Sequence, residues 1–369
     1  MRSGQRTTVR QSFSSVLCAI FCFLSLNSVR PRTDELDKLP EQVQHGVKQV
    51  LISYCPHSGF TNQLFSLLSA VHIAHVTAKA GFEIILAVPP VLLSRTVLQR
   101  PAHCTLRHRS PLTSYCPAVL SDDPKVPWRE ILDLNKFSSE TLRILEHDGH
   151  LENHASRLFS NNYNLVDMRN FSRWCGGAES LENGKYESSL HEVLTHSRTW
   201  LYFGSVFRLA DPKLVLMETA IHFSVPVQNT IEKASLELGD RLSWCAHIRT
   251  GALSAWDGNK ATYFPEVWNQ TVTRFHDWFE LHSEPETLGF ILTDSVDVVN
   301  RDIVKRLNGR ISYKYEEDLS YFHDENLSLP QKLAVSQCLC ARADKNFLTP
   351  GSTFSEFIHL LRARSSHQF

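Results

Sequence analysis

Two ionisable side chains, His247 and Arg249, close a short apolar run in the segment WCAHIRTG. The run predicts a buried strand over Leu242–Ile248, which places both side chains near its carboxyl end. In an open α/β sheet, ligands bind in the crevice beyond that end. Because a guanidinium is planar and always charged, Arg249 suits a phosphate group. For these two residues alone, an ordinary strand with a surface histidine and arginine is the alternative interpretation.

Two further predicted strand ends carry polar groups. Asp294 and Ser295 follow the apolar run Leu288–Thr293, and Gly351–Ser355 opens a predicted helix after a short strand. A helix N-terminus with hydroxyls and free backbone N–H groups binds anions, although simple helix capping by Asp294 and by the Ser-Thr pair is the alternative. If these strands are neighbours, their ends meet at one edge of a sheet. The combination then describes a nucleotide site, in which cations and N–H groups hold a diphosphate and the acid binds a ribose hydroxyl or a base edge.

The first half of the chain predicts a β-α-β unit. A strand over Val50–Tyr54 leads through a Gly-containing turn into a helix that ends near Gly81, with Ser58 or Thr61 as its cap. A second strand over Glu83–Val88 is closed by two prolines, which continue neither a helix nor a central strand. Strand, helix and strand in this order predict a parallel sheet.

The second half alternates in the same way and predicts a second parallel sheet. The middle, residues 95–200, has no sustained period, and its helical segments are predicted around Trp128–Phe137 and Ser139–Leu145. Beyond it come an apolar run from Trp200 to Phe207 and a helix after Pro212. The remaining predicted helices and strands are Val227–Leu238, Phe264–Leu281, Val296–Leu307, Ile311–Tyr315, Gln331–Ala343, Phe347–Thr349 and Glu356–Arg364. Two α/β sheets with a cleft between them are therefore the predicted architecture.

The composition excludes one class of partner. Lysine and arginine total 38, against 39 aspartates and glutamates. Broad nucleic-acid binding requires a basic excess, so nucleic acid is not an expected partner. A negatively charged ligand must instead be held by a few well-placed cations. With 42% hydrophobic residues in 369, the chain can fill the cores of two domains.

The N-terminal 29 residues are typical of a secretory signal. Arginines precede an uncharged apolar run from Phe13 to Leu26, which is short for a membrane span of about 20 residues. Cleavage as a signal peptide and retention as a signal anchor both remain open, and an anchor is favoured. A polar stem over 30–48 follows. The rest of the chain is then expected in the lumen of the endoplasmic reticulum or Golgi, as a type II membrane-anchored protein if the leader is retained.

Two features agree with an oxidising lumen. Three Asn-x-Ser/Thr triplets begin at Asn170, Asn269 and Asn326. Seven cysteines outside the leader can pair there with at least one left over, and Cys104–Cys116 is the favoured local pair. No Cys-x-x-Cys pair occurs, so a zinc site is not expected.

Four stretches together resemble the GDP-fucose protein O-fucosyltransferase family and the wider superfamily of α1,2-, α1,6- and O-fucosyltransferases. They are CPHSGFTNQ from Cys55 to Gln63, His247-Ile-Arg249, ILTDS from Ile291 to Ser295, and the block from Asp344 to Ser355 that contains GSTFS. They occur in the family's order and spacing. The resemblance implies a GT-B-like fold, with two Rossmann-like parallel-sheet domains facing across a cleft. We place these domains at 49–203 (acceptor side) and 204–369 (nucleotide-sugar side).

The resemblance also implies the reaction, transfer of fucose from GDP-fucose to a protein or glycan hydroxyl, with inversion and without a metal or other cofactor. Arg249 is then expected to hold the β-phosphate and stabilise the departing GDP. Asp294 contacts the nucleoside, His247 the ribose or guanine, and Asn62 reaches across the cleft towards the phosphates or the fucose. The residues expected to bind GDP-fucose are Gly59, Phe60, Asn62, His247, Arg249, Asp294, Ser295, Ser352, Thr353 and Phe354.

Two positions depart from the family pattern. An acid often follows the motif arginine by four residues, where this chain has Leu253, with Asp257 nearby. One branch has a glutamate as general base where this chain has Ser58, so His57 is the expected proton acceptor, with a loop histidine bonded to backbone as the alternative. These departures keep two other hypotheses open, a catalytically inactive luminal binding protein on the same scaffold and a transferase for another GDP-sugar. Serine hydrolase and P-loop motifs do not occur.

Overall fold

The computed structural model describes the chain over 48–56, 59–93, 124–147, 151–160, 162–168, 193–206, 209–212, 220–239, 242–250, 265–282, 287–307 and 312–365, and at residues 186, 190, 215 and 216. The predicted leader, nearly all of the stem, the Cys104–Cys116 pair and the triplet at Asn170 lie outside the described residues. Residues His45–Phe369 form one compact unit. Among the described helices, none has the length and hydropathy that a membrane crossing requires.

The first half of this unit is built on a five-stranded parallel sheet. Its strands are β1 (Gln49–Cys55), β2 (Glu83–Val88), β5 (Leu142–Glu146), β6 (Asn164–Asp167) and β7 (Arg198–Ser205). The order across the sheet is β5-β2-β1-β7-β6, and every neighbouring pair is parallel. Strands β3 (Val91–Leu92) and β4 (Lys125–Val126) form a separate antiparallel pair. Parallel pairing of β1 with β2 confirms the predicted β-α-β unit.

Helix α1 (Phe60–Lys79) connects β1 to β2 and is buried on nearly all sides. A helix that is apolar around its circumference belongs in a core, and the side chains of α1 lie in one buried cluster with residues of β1, β2 and α7. Gly81 ends it with a φ of +93°, in the left-handed region that glycine adopts without strain. The N-cap is Gly59 and makes no side-chain capping bond. The predicted cap at Thr61 is therefore wrong, because Thr61 lies inside the first turn; Ser58 lies outside the described residues.

The second half is built on a four-stranded parallel sheet in the order β10-β9-β8-β11. Its strands are β8 (Leu242–Ile248), β9 (Leu288–Thr293), β10 (Ser312–Tyr315) and β11 (Lys345–Leu348). β8 and β9 have the predicted bounds. In β8, successive side chains alternate between two cores, since Trp244, Ala246 and Ile248 face one and Cys245 the other.

The remaining helices cover the sheets. They are α2 (Leu151–Phe159), α3 (Val225–Leu238), α4 (Pro265–His282), α5 (Val296–Asp302), α6 (Leu329–Arg342) and α7 (Thr353–Ser365). α4 and α5 pack on the Trp244 face of the second sheet. α6 begins with a capping box in which Ser328 and Gln331 bond reciprocally, which satisfies N–H groups of its first turn.

The two halves share one continuous apolar core. A single cluster of buried side chains contains residues of β1, α1, β8, α6 and α7. Phe65 of α1 packs edge-on against Phe357 of α7 at a centroid distance of 6.2 Å. Beside this contact, the buried Gln337 of α6 donates its Nε2–H to Thr61 Oγ1 at 3.0 Å. The chain therefore has the predicted α/β architecture of two parallel sheets, and α1, α6 and α7 lie between them.

A disulfide joins Cys245 of β8 to Cys340 of α6. The pair is separated by 95 residues in the sequence, so local spacing did not predict it. Among the described cysteines, Cys55 and Cys338 are free thiols, and both are buried. The bridge holds α6 against the face of β8 that carries His247.

The least regular part of the sequence differs from the prediction. Short 3-10 turns, Trp128–Glu130 and Leu134–Phe137, take the place of one predicted helix. Residues Leu142–Glu146 form strand β5 and not a helix, because they pair with β2 at the edge of the first sheet. Short apolar runs fit either structure, and here the long-range pairing decides.

The boundary between the halves stays a prediction. All strands of the first sheet end by Ser205, and the described residues Pro212, Val215 and Leu216 are helical, in agreement with the predicted helix after Pro212. The predicted division at 203–204 falls within β7.

Candidate functional site

The carboxyl ends of β8, β9 and β11 meet at one edge of the second sheet. β8 is central, and its His247 pairs with Leu348 of β11 while Ile248 pairs with Thr293 of β9. The residues that follow these strands therefore gather at this edge, as the sequence predicted. They include Arg249 after β8.

His247 is held by the first turn of α7. Its Nδ1 lies 2.7 Å from Ser355 Oγ, and its ring stacks on Phe354 at 4.6 Å and an interplanar angle of 28°. Burial, assisted by the nearby Arg249 charge, lowers the pKa of His247 to about 3. The imidazole is therefore neutral near pH 7 and offers one donor and one acceptor. It can bind a hydroxyl or a base edge, but it does not take up a proton at neutral pH.

The backbone around Arg249 is held from the β11 side. Arg249 donates its N–H to Thr349 Oγ1 at 3.1 Å, and that hydroxyl donates to the His247 carbonyl oxygen at 2.8 Å. Burial lowers the pKa of the Arg249 guanidinium, whereas the charge of Asp294 raises it. An arginine remains charged under such perturbation. The site therefore has a half-buried positive charge on a backbone that two hydrogen bonds hold in place.

Asp294 lies on the other side of Arg249 and bonds to the residue that follows it. Its Oδ1 accepts the Thr250 N–H at 2.8 Å and the Thr250 hydroxyl at 2.9 Å. Asp294 as a whole is exposed. Ser295 is the N-cap of α5, and its N–H donates to Thr293 Oγ1 at 3.1 Å. Asp294 thus has a structural contact that the sequence did not predict, and as an exposed residue it remains accessible to a ligand.

The N-terminus of α7 completes this edge. Gly351 has a φ of +74°, which allows the turn from β11 into the helix. Ser352 is buried, and its carbonyl accepts the Glu356 N–H at 2.9 Å. Thr353 begins the helix and is half-buried. The N–H groups of the first helical turn have no intrahelical partner, so they are available to an anion at this edge.

The predicted residues of the first half lie at the start of α1. The Asn62 side-chain oxygen is buried and has no hydrogen-bond partner among the described residues. An unsatisfied buried acceptor is costly and is often satisfied when a ligand binds. The ring of Phe60, by contrast, lies in the core, 6.1 Å from the Trp128 ring. Phe60 and Gly59 can therefore contact a ligand only through the backbone of this uncapped helix start.

The starts of α1 and α7 lie close together. The contacting rings, Phe65 and Phe357, each lie one helical turn after a predicted site residue, Asn62 and Phe354 respectively. Asn62 therefore lies about one helical turn from a contact with α7, the helix that holds His247. The predicted proton acceptor His57, together with Leu253 and Asp257, lies outside the described residues. Among the described residues, no group of His, Cys, Asp and Glu could hold a metal ion.

Comparison with solved structures shows the same fold in POFUT1, which was crystallised with GDP and with GDP-fucose. The crystal structure of POFUT1 in complex with GDP aligns with a TM-score of 0.52 at 12% identity, covering 87% of this chain and 96% of that chain. POFUT1 in complex with GDP-fucose gives 0.51 at 10% identity, covering 85% and 94%. The fucosyltransferase NodZ from Bradyrhizobium gives 0.45 at 16% identity, covering 85% and 92%.

The two POFUT1 structures show the fold of this chain. The GT-B-like α/β fold and the resemblance drawn from the motifs are thus confirmed at the level of the fold. No family profile matches the sequence, and no curated protein matches it by sequence.

Three residues of the site had no predicted role. Ser355 holds His247, Thr349 holds the backbone of Arg249, and Thr250 binds Asp294. Ser355 lies within the GSTFS motif, so its position was available from the sequence. The contacts of Thr250 and Thr349 join strand ends that are far apart along the chain, and only the fold reveals them.

Proposed function

We propose that this chain is a glycosyltransferase that moves fucose from GDP-fucose to a hydroxyl of a protein or glycan in the secretory pathway. One observation carries the proposal: Arg249, His247, Asp294 and the start of α7 meet at one sheet edge. This edge belongs to the fold of a protein crystallised with GDP-fucose. Its charge and its hydrogen-bond donors match a nucleoside diphosphate.

The donor fits the site as follows. The Arg249 guanidinium and the N–H groups of α7 at Ser352–Phe354 hold the diphosphate. The neutral His247 exchanges hydrogen bonds with the ribose or guanine, and Asp294 accepts from a nucleoside hydroxyl or N–H. Asn62, whose oxygen lacks a partner, reaches the phosphates or the fucose from the first half.

The reaction breaks the bond between fucose C1 and the β-phosphate oxygen. The acceptor oxygen bonds to C1 on the opposite face, which inverts the configuration, and the acceptor proton leaves to a base or to solvent. Negative charge develops on GDP as the bond breaks, and Arg249 is positioned to stabilise it without a metal. His247 stays neutral throughout because its pKa is about 3. His57 is the proposed proton acceptor.

The decisive experiment separates binding from turnover. The purified chain is incubated with GDP-fucose and a panel of folded protein domains and glycans, and released GDP and fucosylated product are both measured. We expect Arg249→Ala to lower the rate about a hundredfold or more. Arg249→Lys should restore only part of it, because an ammonium lacks the planar fork. Arg143→Ala, which removes an exposed arginine of β5, is the matched control and should have no effect.

Other outcomes identify the alternatives. GDP binding without hydrolysis or transfer for any acceptor would indicate a binding protein on this scaffold. Turnover of another GDP-sugar in preference to GDP-fucose would identify that sugar nucleotide as the donor substrate. Absence of GDP binding would contradict the proposal.

A further inference from the structure

A second concave site lies on the opposite face of the second sheet. A cavity of about 440 Å³ is lined by Arg274, Asp277 and Trp278 of α4 and by Asn346, Phe347 and Leu348 of β11. Phe347 belongs to the core on the Trp244 face, whereas His247 faces α7. The cavity is thus separate from the proposed donor site. Its volume is in the range of small-ligand sites.

The wall formed by β11 presents backbone groups. β11 is an edge strand, paired only with β8 among the described strands. Thr349 donates its N–H to the His247 carbonyl, so by alternation the N–H and C=O groups of Asn346 and Leu348 point away from β8. The side chain of Asn346 is engaged elsewhere, with Cys340 and Arg362. Asn346 and Leu348 therefore line the cavity, and their backbone donors and acceptors are not paired with any described strand.

The wall formed by α4 presents polar side chains to the cavity. Arg274 and Asp277 are exposed, and neither side chain forms an ion pair or hydrogen bond with a described residue. The indole N–H of Trp278 likewise has no acceptor among the described residues. A guanidinium, a carboxylate and an indole N–H thus line one cavity, and no described residue competes with a ligand for them.

Two aromatic side chains, Trp278 and Phe347, belong to the cavity lining. The Trp278 ring packs against Phe347 at 5.8 Å and Phe275 at 6.0 Å, and His282 covers one of its faces at 5.3 Å. Aromatic side chains that are packed in this way lose little entropy when a ligand binds. The lining therefore combines packed aromatic rings with hydrogen-bond donors and acceptors.

We infer that this cavity binds a saccharide. A sugar ring presents apolar C–H groups on its faces and hydroxyls around its edge, which match a lining that combines aromatic rings with planar polar groups. One arginine and one aspartate balance each other, so an anion is not favoured, and a single carboxylate is too few for a cation. Outward backbone groups of only two strand residues are too few for the addition of a peptide strand.

The cavity extends the proposed function. A transferase that also holds its acceptor glycan in this cavity raises the effective concentration of the acceptor at the donor site. This role rests on the proposed function. Binding of a saccharide to the cavity can be tested without GDP-fucose and without turnover. Failure of saccharide binding would therefore not imply failure of the proposed transferase function, and failure of that function would not exclude saccharide binding.

The test uses the full chain with indole-¹⁵N tryptophan, in which Trp278→Phe assigns the Trp278 signal. Chitobiose, lactose and mannobiose are titrated separately. We expect at least one to shift the Trp278 indole N–H, and Arg274→Ala and Asp277→Ala each to weaken that binding about tenfold. Thr273→Ala, exposed on α4 but outside the cavity, should bind as the wild type does. GDP affinity, measured in parallel, should be the same in all of these variants.

Three results would overturn the inference. In the first, none of the disaccharides shifts the Trp278 signal. In the second, binding persists unchanged in both the Arg274 and Asp277 variants. In the third, an extended peptide shifts the signal and the sugars do not. Far-ultraviolet circular dichroism of each variant shows that a loss of binding is not a loss of fold.

Discussion

The imidazole of His247 is neutral in the folded protein because burial, together with the Arg249 charge, lowers its pKa to about 3. In the unfolded chain the pKa returns to about 6.5. Between these two values the unfolded state binds more protons than the folded state does. Stability contributed by His247 is therefore fully present above pH 6.5 and is lost as the pH falls towards 3.

This difference predicts the pH dependence of folding. At pH 5, His247 should have lost about 2 kcal/mol of the stability that it contributes at pH 7. The variant His247→Gln should be less sensitive to that change in pH. Urea unfolding of both proteins at pH 7 and pH 5 measures the difference. An equal loss in wild type and variant would show that His247 does not carry this dependence.

Ser355 should act on the donor through His247. Its hydroxyl is the partner of Nδ1, and this hydrogen bond holds the orientation of the ring and influences its tautomer. We expect Ser355→Ala to weaken GDP binding about five- to tenfold, since one hydrogen bond contributes about 1 kcal/mol. Isothermal titration calorimetry measures this affinity.

A control is available on α3. Thr230→Ala removes a hydroxyl that bonds only to the carbonyl of Pro226, within its own helix, and should leave GDP affinity unchanged. ¹⁵N chemical shifts of the His247 ring report its tautomer directly. An unchanged tautomer in Ser355→Ala would contradict the positioning role.

At the scale of the elements, β8 and β9 are packed too closely for any side chain at Gly289. This residue pairs with Trp244, and a Cβ built on it would lie 2.0 Å from Trp244 Cζ2. Gly289→Ala must therefore displace a buried indole from the core beneath the site. We expect a loss of about 1–3 kcal/mol in the free energy of unfolding. Chemical denaturation measures it.

A second glycine provides the comparison. Gly81→Ala meets no atom within 4 Å, so its cost should come only from the left-handed backbone, with a φ of +93°. Gly81→Ala should lower the free energy of unfolding by about 1–2 kcal/mol and should leave GDP affinity unchanged. If Gly289→Ala left both stability and GDP affinity unchanged, that result would contradict the close packing of Trp244 against Gly289.

The elements were largely predictable from local pattern. The periods of α1, α3 and α6 and the apolar runs of β8 and β9 are strong, and each was predicted to within a few residues. β5 was missed because five residues of mixed polarity become a strand only through pairing with β2. The wrong cap at Thr61 has a similar cause, since its hydroxyl accepts a hydrogen bond from α6 and not from its own helix.

The site was predictable in part for the same reason. Arg249, His247 and the start of α7 were found because a strand end and a helix start are recognisable locally. The contacts of Ser355, Thr349 and Thr250 with these residues were not, because each depends on which strands are neighbours.

At the scale of the whole molecule, the disulfide is the longest covalent constraint described. Cys245–Cys340 closes a loop of 95 residues and joins the strand of His247 to α6. The lost chain entropy of the unfolded state predicts a stabilisation of about 4–5 kcal/mol for such a bridge. Removal of a native bridge lowers the free energy of unfolding by about 2–5 kcal/mol. We expect the double variant Cys245→Ala, Cys340→Ala to unfold at a lower denaturant concentration. An unchanged midpoint, with mass spectrometry confirming the bridge in the wild type, would contradict this.

The two halves are joined by a polar contact inside their shared core. Gln337 of α6 donates to Thr61 of α1, and both side chains are buried. Changing only one partner leaves the other polar group buried without its hydrogen bond, which costs about 1–3 kcal/mol. Changing both to apolar residues of similar shape removes that penalty.

A double-mutant cycle tests whether the halves unfold together. We expect Thr61→Val and Gln337→Met each to be destabilising and the pair to be less so than their sum, with a coupling of about 0.5–3 kcal/mol. Because the core is continuous across α1, α6 and α7, each variant should still unfold in one transition, followed in parallel by tryptophan fluorescence and far-ultraviolet circular dichroism. Additive losses of stability in the two single variants would show that the contact between Thr61 and Gln337 does not couple the two halves. Two separate transitions would show that the halves are independent folding units.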